Sequence, residues 1–402
     1  MADRKIMALK EMVDKVKELD GIDLLKEIVE QVVQEVLEAE RDEHVGVEKY
    51  ERSDERNDIR SGYKKREIIT SVGRLTLEMP QTRNGMNSMV FAAYKRVDQA
   101  VLLMAVEMYV AGVSTRRVEK ILETTIGTGV SAQTVSKAAR RLDEAIEVLR
   151  ARPLGETPVL MVDARFDKVR RSRVVRNAAL LVVVGIEADG HRRVLDFAAA
   201  DGEKKNSWKE LFLRLKKRGL HGVLYTVSDD HEGLKNAMGE VFIGSIWNRC
   251  HTHINRNVLN KTPKKHKREV ALRLKDIFSA PDEKEARARL KKLAVEADTM
   301  KSELGEYIEE TVTDGFAVFA LPAQLRRYLR TTNMVERINQ EPKRRTKLVR
   351  SFPCMESYER LAGTILVRID EEWQAAGREY IDMELLKEAL EEKRKKSKKQ
   401  AA

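Results

Sequence analysis

Apolar residues recur every three to four positions through residues 5–45, with Leu25, Ile28, Val32 and Val36 as the clearest stripe and charges between them. That period predicts an amphipathic helix that packs on the rest of the chain or pairs with a second copy. The period changes in REIITSVGRLTLEMP, where apolar and β-branched residues alternate on both sides of Val72-Gly73-Arg74 and Pro80 closes the run. Such alternation across a glycine predicts a β-hairpin. Its flanking cations, Lys64, Lys65, Arg66 and Arg83, suit a phosphate backbone or open solvent equally well. Helical spacing returns over 98–150. Ser114 is placed to cap a helix with Val118, Ile121 and Leu122 inward, Gly127 and Gly129 interrupt it, and Ser131 is placed to cap a second helix with Val135, Ala138, Leu142 and Ala145 inward. Two short capped helices across a glycine-containing turn are a helix-turn-helix candidate or a plain αα-hairpin. The outer face of the second carries Gln133, Thr134, Lys137, Arg140 and Arg141, groups that reach phosphates and base edges.

From 157 to 260 the pattern is that of strands first. Val159 to Val169, Ala178 to Glu187 and Arg193 to Ala200 read as three strands, with a turn at Gly190. A helix over Asn206 to Arg218 follows, with Trp208, Leu211, Phe212 and Leu215 inward; then a strand over Gly222 to Ser228, a helix over His231 to Phe242 and a short strand around Ser245 to Trp247. Three successive strands followed by α-β-α do not make a doubly wound sheet. They predict an α+β, ribonuclease-H-like domain, a mixed sheet with flanking helices. No glycine-rich nucleotide loop accompanies it. Residues 261–325 are helical and highly charged, with Pro263, Pro281 and Pro322 as punctuation, and seven Lys/Arg against two acids lie in 261–278. This basic start suits DNA backbone or a second subunit. Further helices fill 326–373, and six Lys/Arg crowd 393–399.

The expected organisation is an N-terminal helical region over 1–60, a hairpin and helix-turn-helix DNA-binding region over 61–150, and a first catalytic segment over 151–260. An all-helical insertion spans 261–325, a second catalytic segment 326–380 and a basic tail 381–402. A length of 402 residues accommodates two to four such units. The 76 Lys/Arg against 65 Asp/Glu leave a formal charge of +11, which favours a polyanionic partner. Residues 1–60 hold 11 Lys/Arg and 18 Asp/Glu, a net of −7, so the remaining 342 residues carry +18. A polyanion is therefore gripped beyond the first helices. Two cysteines, Cys250 and Cys354, exclude a disulfide scaffold and a four-cysteine zinc site. The longest apolar run of note, Ala178 to Ile186, spans nine residues where a membrane helix needs about 20, so no membrane partner and an intracellular, cytoplasmic location are expected.

Candidate chemistry rests on acids. Asp163 interrupts the apolar strand VLMVDARFDKV, a costly position unless the carboxylate is paired, hydrogen-bonded or metal-bound. Asp229 sits where the fourth strand ends, in YTVSDDHEGL. In a ribonuclease-H-like order the first and fourth strands are neighbours, so the two carboxylates converge. Glu336, in the helix RTTNMVERIN beside Asn333, Arg337 and Asn339, offers a third. Each acid alone reads as a salt-bridge partner, a strand-end cap or a solvated residue. Together, 66 and then 107 positions apart, they suit a hard-oxygen site for Mg²⁺ or Mn²⁺ with a helical insertion before the third.

The blocks GVSTRRVEKILE, VDARFDKVR, SDDHEGLKNA, RCHTHINRN and TTNMVERINQEPKRRTKLVRSFP, together with EAERDEHVGVEKYERSDERNDIRSGYKKREIITSVGRLTLEMPQTR, resemble the bacterial Mutator-type insertion-sequence transposases. The resemblance runs from about residue 36 to about 375. It implies that Asp163, Asp229 and Glu336 form a catalytic, metal-binding DDE triad. Two divalent ions per site, about 4 Å apart, would be bridged by Asp163 and held singly by Asp229 and Glu336. It also implies cleavage and strand transfer at element ends through figure-eight or circular intermediates, with terminal inverted repeats and target DNA as partners. A homodimer or larger synaptic assembly near the nucleoid follows from the need to join two ends. Asp230 stands where the family more often has a small residue, which makes it the rival of Asp229. Arg165 is a less usual choice than an apolar residue.

Cys250 and His253 fall on the family's Cys-x-x-His motif. Three readings stay open for them: half of a zinc site that would need two more ligands, a hydrogen-bonding brace for the site, or a DNA contact. Arg249, Arg256, Lys343, Arg344, Arg345 and Lys347 are expected phosphate contacts, alongside Lys137 and Arg140 in the helix pair. The competing functions are a structure-selective nuclease and a non-catalytic DNA-binding regulator.

Overall fold

The computed structural model describes residues 21–47, 56–70, 73–126, 130–171, 173–349 and 351–390. The predicted helix over 5–20, Val72, Gly127, Gly129 and the basic run 393–399 lie outside the described residues. The chain forms two compact units that divide between Arg140 and Arg141. Among the described residues no helix is long and apolar enough to cross a membrane.

In the first unit, helix α1 (Gly21–Val45) packs on the antiparallel hairpin β1 (Arg60–Thr70) and β2 (Gly73–Thr82). The register closes with Thr70 paired to Gly73. Along β2, Leu75, Leu77 and Met79 point inward and Arg74, Thr76 and Glu78 outward, as strict alternation requires. The free edge of β2 is covered by side chains of α1. Gln34 exchanges two 2.9 Å hydrogen bonds with the backbone of Glu78, and Glu30 accepts from Thr76 N at 3.0 Å. That edge contact fixes the rotation of α1 and turns Val29, Val33 and Leu37 onto the hairpin. The predicted stripe is thereby corrected: Leu25, Val32 and Val36 are exposed.

Helices α2 (Met89–Val110), α3 (Thr115–Ile126) and α4 (Ala132–Ala139) complete the unit. Ser114 opens α3 through its carbonyl, and Ser131 caps α4 by accepting from Thr134 N at 3.1 Å. Val118 and Leu122 are buried, as are Val135 and Ala139. The second helix was expected to run on through Leu142 and Ala145. It ends at Ala139, and α5 (Leu142–Ala151) starts afresh with Ile146 and Leu149 buried. The chain passes from one compact unit to the next there, so the two halves serve different cores.

The second unit is built on a five-stranded mixed sheet. Its strands are β3 (Val159–Arg171), β4 (Val174–Ile186), β5 (Arg192–Ala200), β6 (Tyr225–Ser228) and β7 (Ile246–Arg249), in the order β5-β4-β3-β6-β7. The first three form an antiparallel meander, while β6 and β7 run parallel to β3. The apolar run Ala178 to Ile186 is buried throughout, the mark of a strand covered on both faces. One face is covered by α6 (Lys205–Lys217), with Trp208, Leu211, Phe212 and Leu215 inward as predicted, and by α7 (Glu232–Val241). Each such side chain contributes about 1.5–3 kcal/mol on burial. Behind the sheet, α14 (Met355–Ala376) comes so close that a Cβ at Gly363 would lie 2.5 Å from the Phe197 ring.

Helices α8 (His251–Lys261), α9 (Lys267–Phe278), α10 (Glu283–Met300) and α11 (Leu304–Thr313), with a 3-10 turn over Phe316–Ala320, enclose a separate apolar core. Its members include Ile254, Val270, Leu274, Leu290, Leu293, Ile308 and Phe316. Helices α12 (Ala323–Leu329) and α13 (Asn333–Val349) return the chain to the sheet.

Candidate active site

β3 is buried on both faces through Val162 and then emerges, so Asp163 is the first residue of the strand that reaches the surface. The parallel neighbour β6 stops at Ser228 and leaves Asp229 at the same sheet end. Glu336 lies in the first turn of α13. The three acids gather around one imidazole. His253 Nε2 is 3.8 Å from Asp229 Oδ2 and 3.5 Å from Glu336 Oε1, and Asp163 bears on the same ring electrostatically. Burial alone would lower the His253 pKa, but the Cys250 sulphur, Asp229 and Asp163 outweigh it and lift it to about 9. The ring is therefore cationic at neutral pH. Burial pushes Asp163 up to about 7, against the opposing influence of His253 and of Asn339, whose Nδ2 donates to Asp163 Oδ2 at 3.1 Å.

The segment 249–253 ties these pieces together. Arg249 N donates to Asp314 O, Cys250 N to Ser228 O, and His251 N to Arg330 O. Cys250 Sγ accepts from the backbone N and the hydroxyl of Thr332 at 3.3 and 3.2 Å. Thr252 Oγ1 donates to Asn333 Oδ1 at 2.8 Å. The end of β6, the helical insertion and the start of α13 are thus fastened to five consecutive residues. Burial works against a Cys250 thiolate, yet His253 and Thr332 hold its pKa below the ordinary thiol value. His251 is buried, stacks on Phe278 at 3.7 Å and engages Gly315 O at 2.9 Å. Burial, with Arg330 nearby, lowers it to about 3, so it stays neutral.

Asp229 and Asp230 differ in their surroundings. Asp230 is engaged by Lys235 at 2.9 Å and by Arg249 at 3.0 Å, and Arg249 also reaches Asp314 at 3.3 Å. Among the described residues, Asp229 has the longer approach of His253 and its own neighbour's backbone N–H at 2.7 Å. Arg249, expected to touch phosphate, is instead buried between two acids that account for its charge.

A cleft of about 410 Å³ opens over Asp163 and Glu336 and is lined by Phe166, His253, Arg256 and Lys343 among others. Of the predicted phosphate contacts, Arg256 and Lys343 face it. Arg344 and Arg345 pair with Glu341 at 3.0 and 3.8 Å, and the side chain of Lys347 lies outside the described residues. Lys137 and Arg140 are exposed in the first unit. At the basic start of the insertion, Lys261 sits over the Tyr307 ring at 3.4 Å, while Lys264, Lys265 and Arg268 are exposed.

Three further residues bear on the site. Arg165 donates to Asn339 O at 3.2 Å and to Asp167 Oδ1 at 2.6 Å, which fastens α13 to β3 and accounts for a cation where an apolar residue is usual. Phe166 stays 50% exposed at the cleft, a free aromatic face beside two cations. Glu203, just before α6, is raised by burial and feels His231, Asp229 and His253, which makes it a fourth acid near the site. Of these, Arg165 stands out in the chain as a cation where an apolar residue is usual, while Phe166 and Glu203 carry no such mark.

The family described as “Transposase, Mutator family” matches residues 1–376. The chain belongs to that family. It is 42% identical over 372 residues to the transposase for insertion sequence element ISRM5 of Rhizobium meliloti (strain 1021), covering 92% of this chain and 93% of the relative. Against the transposase for insertion sequence element IS406 of Burkholderia multivorans it is 39% identical over 367 residues, 90% of this chain and 94% of the relative. Against the transposase for insertion sequence element IS256 in transposon Tn4001 of Staphylococcus aureus it is 35% identical over 376 residues, 90% and 94%. Membership makes the chain a transposase, an enzyme class that cuts DNA and transfers strands.

Proposed function

We propose that the chain is a DDE transposase of ribonuclease-H-like architecture, acting at the ends of an insertion sequence. The observation that carries this reading is the convergence of Asp163, Asp229 and Glu336 around His253 at one sheet end, with Asp163 and Glu336 lining a cleft faced by Arg256 and Lys343. The donor set fits divalent Mg²⁺ or Mn²⁺: it is three hard carboxylates, and Glu336 Oε1 is buried without a hydrogen-bond partner. Asp163, Asp229 and Glu336 would hold such ions, which when bound activate the attacking oxygen and stabilise the leaving one.

The chain's own residues do the rest. Asn339 aims the Asp163 carboxylate and Arg165 holds Asn339 in place. Cys250 and Thr332 fix the start of α13, and with it Glu336. Arg256 and Lys343 grip the backbone beside the scissile phosphate. Water attacks that phosphate first and releases a 3′-hydroxyl; the hydroxyl then attacks a second phosphodiester, and no covalent enzyme intermediate is needed. Joining within the element gives figure-eight or circular products. Two ends must meet, so a homodimer is the smallest working assembly. End recognition falls to the hairpin and helix pair within 61–150, where Lys137 and Arg140 are exposed.

Titration of Mg²⁺ or Mn²⁺ into the full chain with labelled end duplex tests this. Metal-dependent cutting with joining is expected. Cutting alone would make the chain a nuclease, and binding alone a regulator. Lys137→Ala or Arg140→Ala in the full chain should reduce the preference for ends over random duplex; an unchanged preference would move recognition elsewhere.

A further inference from the structure

Ligand atoms of Cys250, His253 and Glu336 all lie within 4.8 Å of one another. Cys250 and His253 alone are half of a zinc site and need further ligands. The fold brings a carboxylate from 83 positions beyond His253. We infer that Cys250, His253 and Glu336 form a second, soft metal site that takes a zinc-class ion and competes with the hard-cation site for Glu336.

The chemistry differs from that of the three acids. A thiolate and an imidazole select Zn²⁺, whereas Mg²⁺ prefers carboxylate, carbonyl and water. A tetrahedral ion with bonds of about 2.0–2.3 Å holds its ligands roughly 3.5 Å apart, so the present spacing needs to tighten by about an ångström. Two atoms of the cluster already face each other: Glu336 Oε1, buried without a hydrogen-bond partner, lies 3.5 Å from Nε2 of His253, a residue only 7% exposed. Cys250 is fully buried, and the two donors from Thr332 favour its sulphur as an anion. Thr332 thus plays the part that outer hydrogen-bonding partners play around metal ligands. Asp229 Oδ2, 3.8 Å from His253 Nε2, or solvent fills the fourth position. The other cysteine, Cys354, is exposed and opens α14, so it serves as an internal control. Binding of the soft ion stands independently of the proposed transposition chemistry. Its inhibitory consequence rests on that reading, because it withdraws Glu336 from the acids that hold Mg²⁺.

The test uses Co²⁺ as the probe, added to the metal-free full chain without DNA. The wild type should show a thiolate-to-cobalt charge-transfer absorption with tetrahedral ligand-field bands, all displaced by Zn²⁺. Cys250→Ser should abolish the charge-transfer absorption and weaken binding by about 100-fold or more, since even outer-partner losses cost 10–100-fold. Glu336→Gln should keep the absorption but weaken binding at least about tenfold. Cys354→Ser should behave as wild type. An absent charge-transfer band in the wild type, or one that survives Cys250→Ser, would overturn the proposal. If Cys250→Ser does not fold, Glu336→Gln decides, and wild-type cobalt affinity there would overturn it as well. Failure of Mg²⁺-dependent cleavage, with the cobalt band intact, would instead sink the catalytic reading and leave the soft site standing.

Discussion

The acids at the sheet end and the acids of the helical insertion live in opposite circumstances. In the insertion four acids are met by arginines at close range: Glu283 by Arg287 at 2.7 Å, Glu285 and Asp276 both by Arg289 at 2.9 and 2.8 Å, and Glu296 by Arg273 at 3.1 Å. At the sheet end three acids share one imidazolium, and the nearest guanidinium to Glu336 is Arg256 at 3.9 Å. Negative charge answered residue by residue describes a solvated surface. Charge drawn together and left under-compensated is what a cationic ligand would complete, and that difference is why the proposed chemistry is placed there.

The largest effect should come from the unanswered acids. Asp163→Asn, Asp229→Asn or Glu336→Gln should each lower end cleavage and joining by about 10³-fold, roughly 4 kcal/mol of barrier, with end binding retained. Near-normal joining by any one of them would remove that residue from the site, and Asp230→Asn should stay active. In the insertion the sensitive element is the core rather than the charges. Leu290→Ala should cost about 2–5 kcal/mol of stability by denaturant unfolding, since Leu290 is buried among the insertion helices. A loss below about 1 kcal/mol would mean that this core is not tightly packed.

Between the two regions stands His251, whose folded pKa of about 3 lies below its ordinary 6.5. A depressed histidine stabilises the fold above pH 6.5 and loses that contribution as the pH falls toward 3. Unfolding free energy should therefore drop by about 1.4 kcal/mol per pH unit in that window from this group. The slope should flatten by one proton in His251→Gln, as read by thermal or urea melts across pH. The same slope in both proteins would mean the ring is already charged in the fold. The smallest effect should be on the surface pairs, where Glu283→Ala should change stability by no more than about 0.5 kcal/mol and leave cleavage unaltered.

Much of this arrangement is legible in the chain. The run Ala178 to Ile186 has no polar gap and so belongs to a strand covered on both faces, and the strand order makes β3 and β6 neighbours, which places Asp163 near Asp229. Local periodicity cannot supply what depends on distant partners. Arg249 looks like any basic residue until Asp314, 65 positions away, pairs with it beside Asp230. The rotation of α1 depends on Gln34 meeting Glu78 across 44 positions, so the more regular stripe of Leu25, Val32 and Val36 misleads. The stop at Ala139 reflects a boundary between cores, which no capping residue announces.

The insertion also sets a timetable. Glu336 follows Asp229 by 107 positions, and α14, which covers the back of the sheet, ends only at Ala376. A ribosome delivers the unit that ends at Arg140 long before the third acid exists. A nascent or prematurely released chain that stops within the insertion carries the exposed Lys137 and Arg140 but not Glu336. Under the proposed chemistry such a product would occupy element ends without cutting them, so truncation there yields a competitor of the full-length protein rather than a weaker version of it.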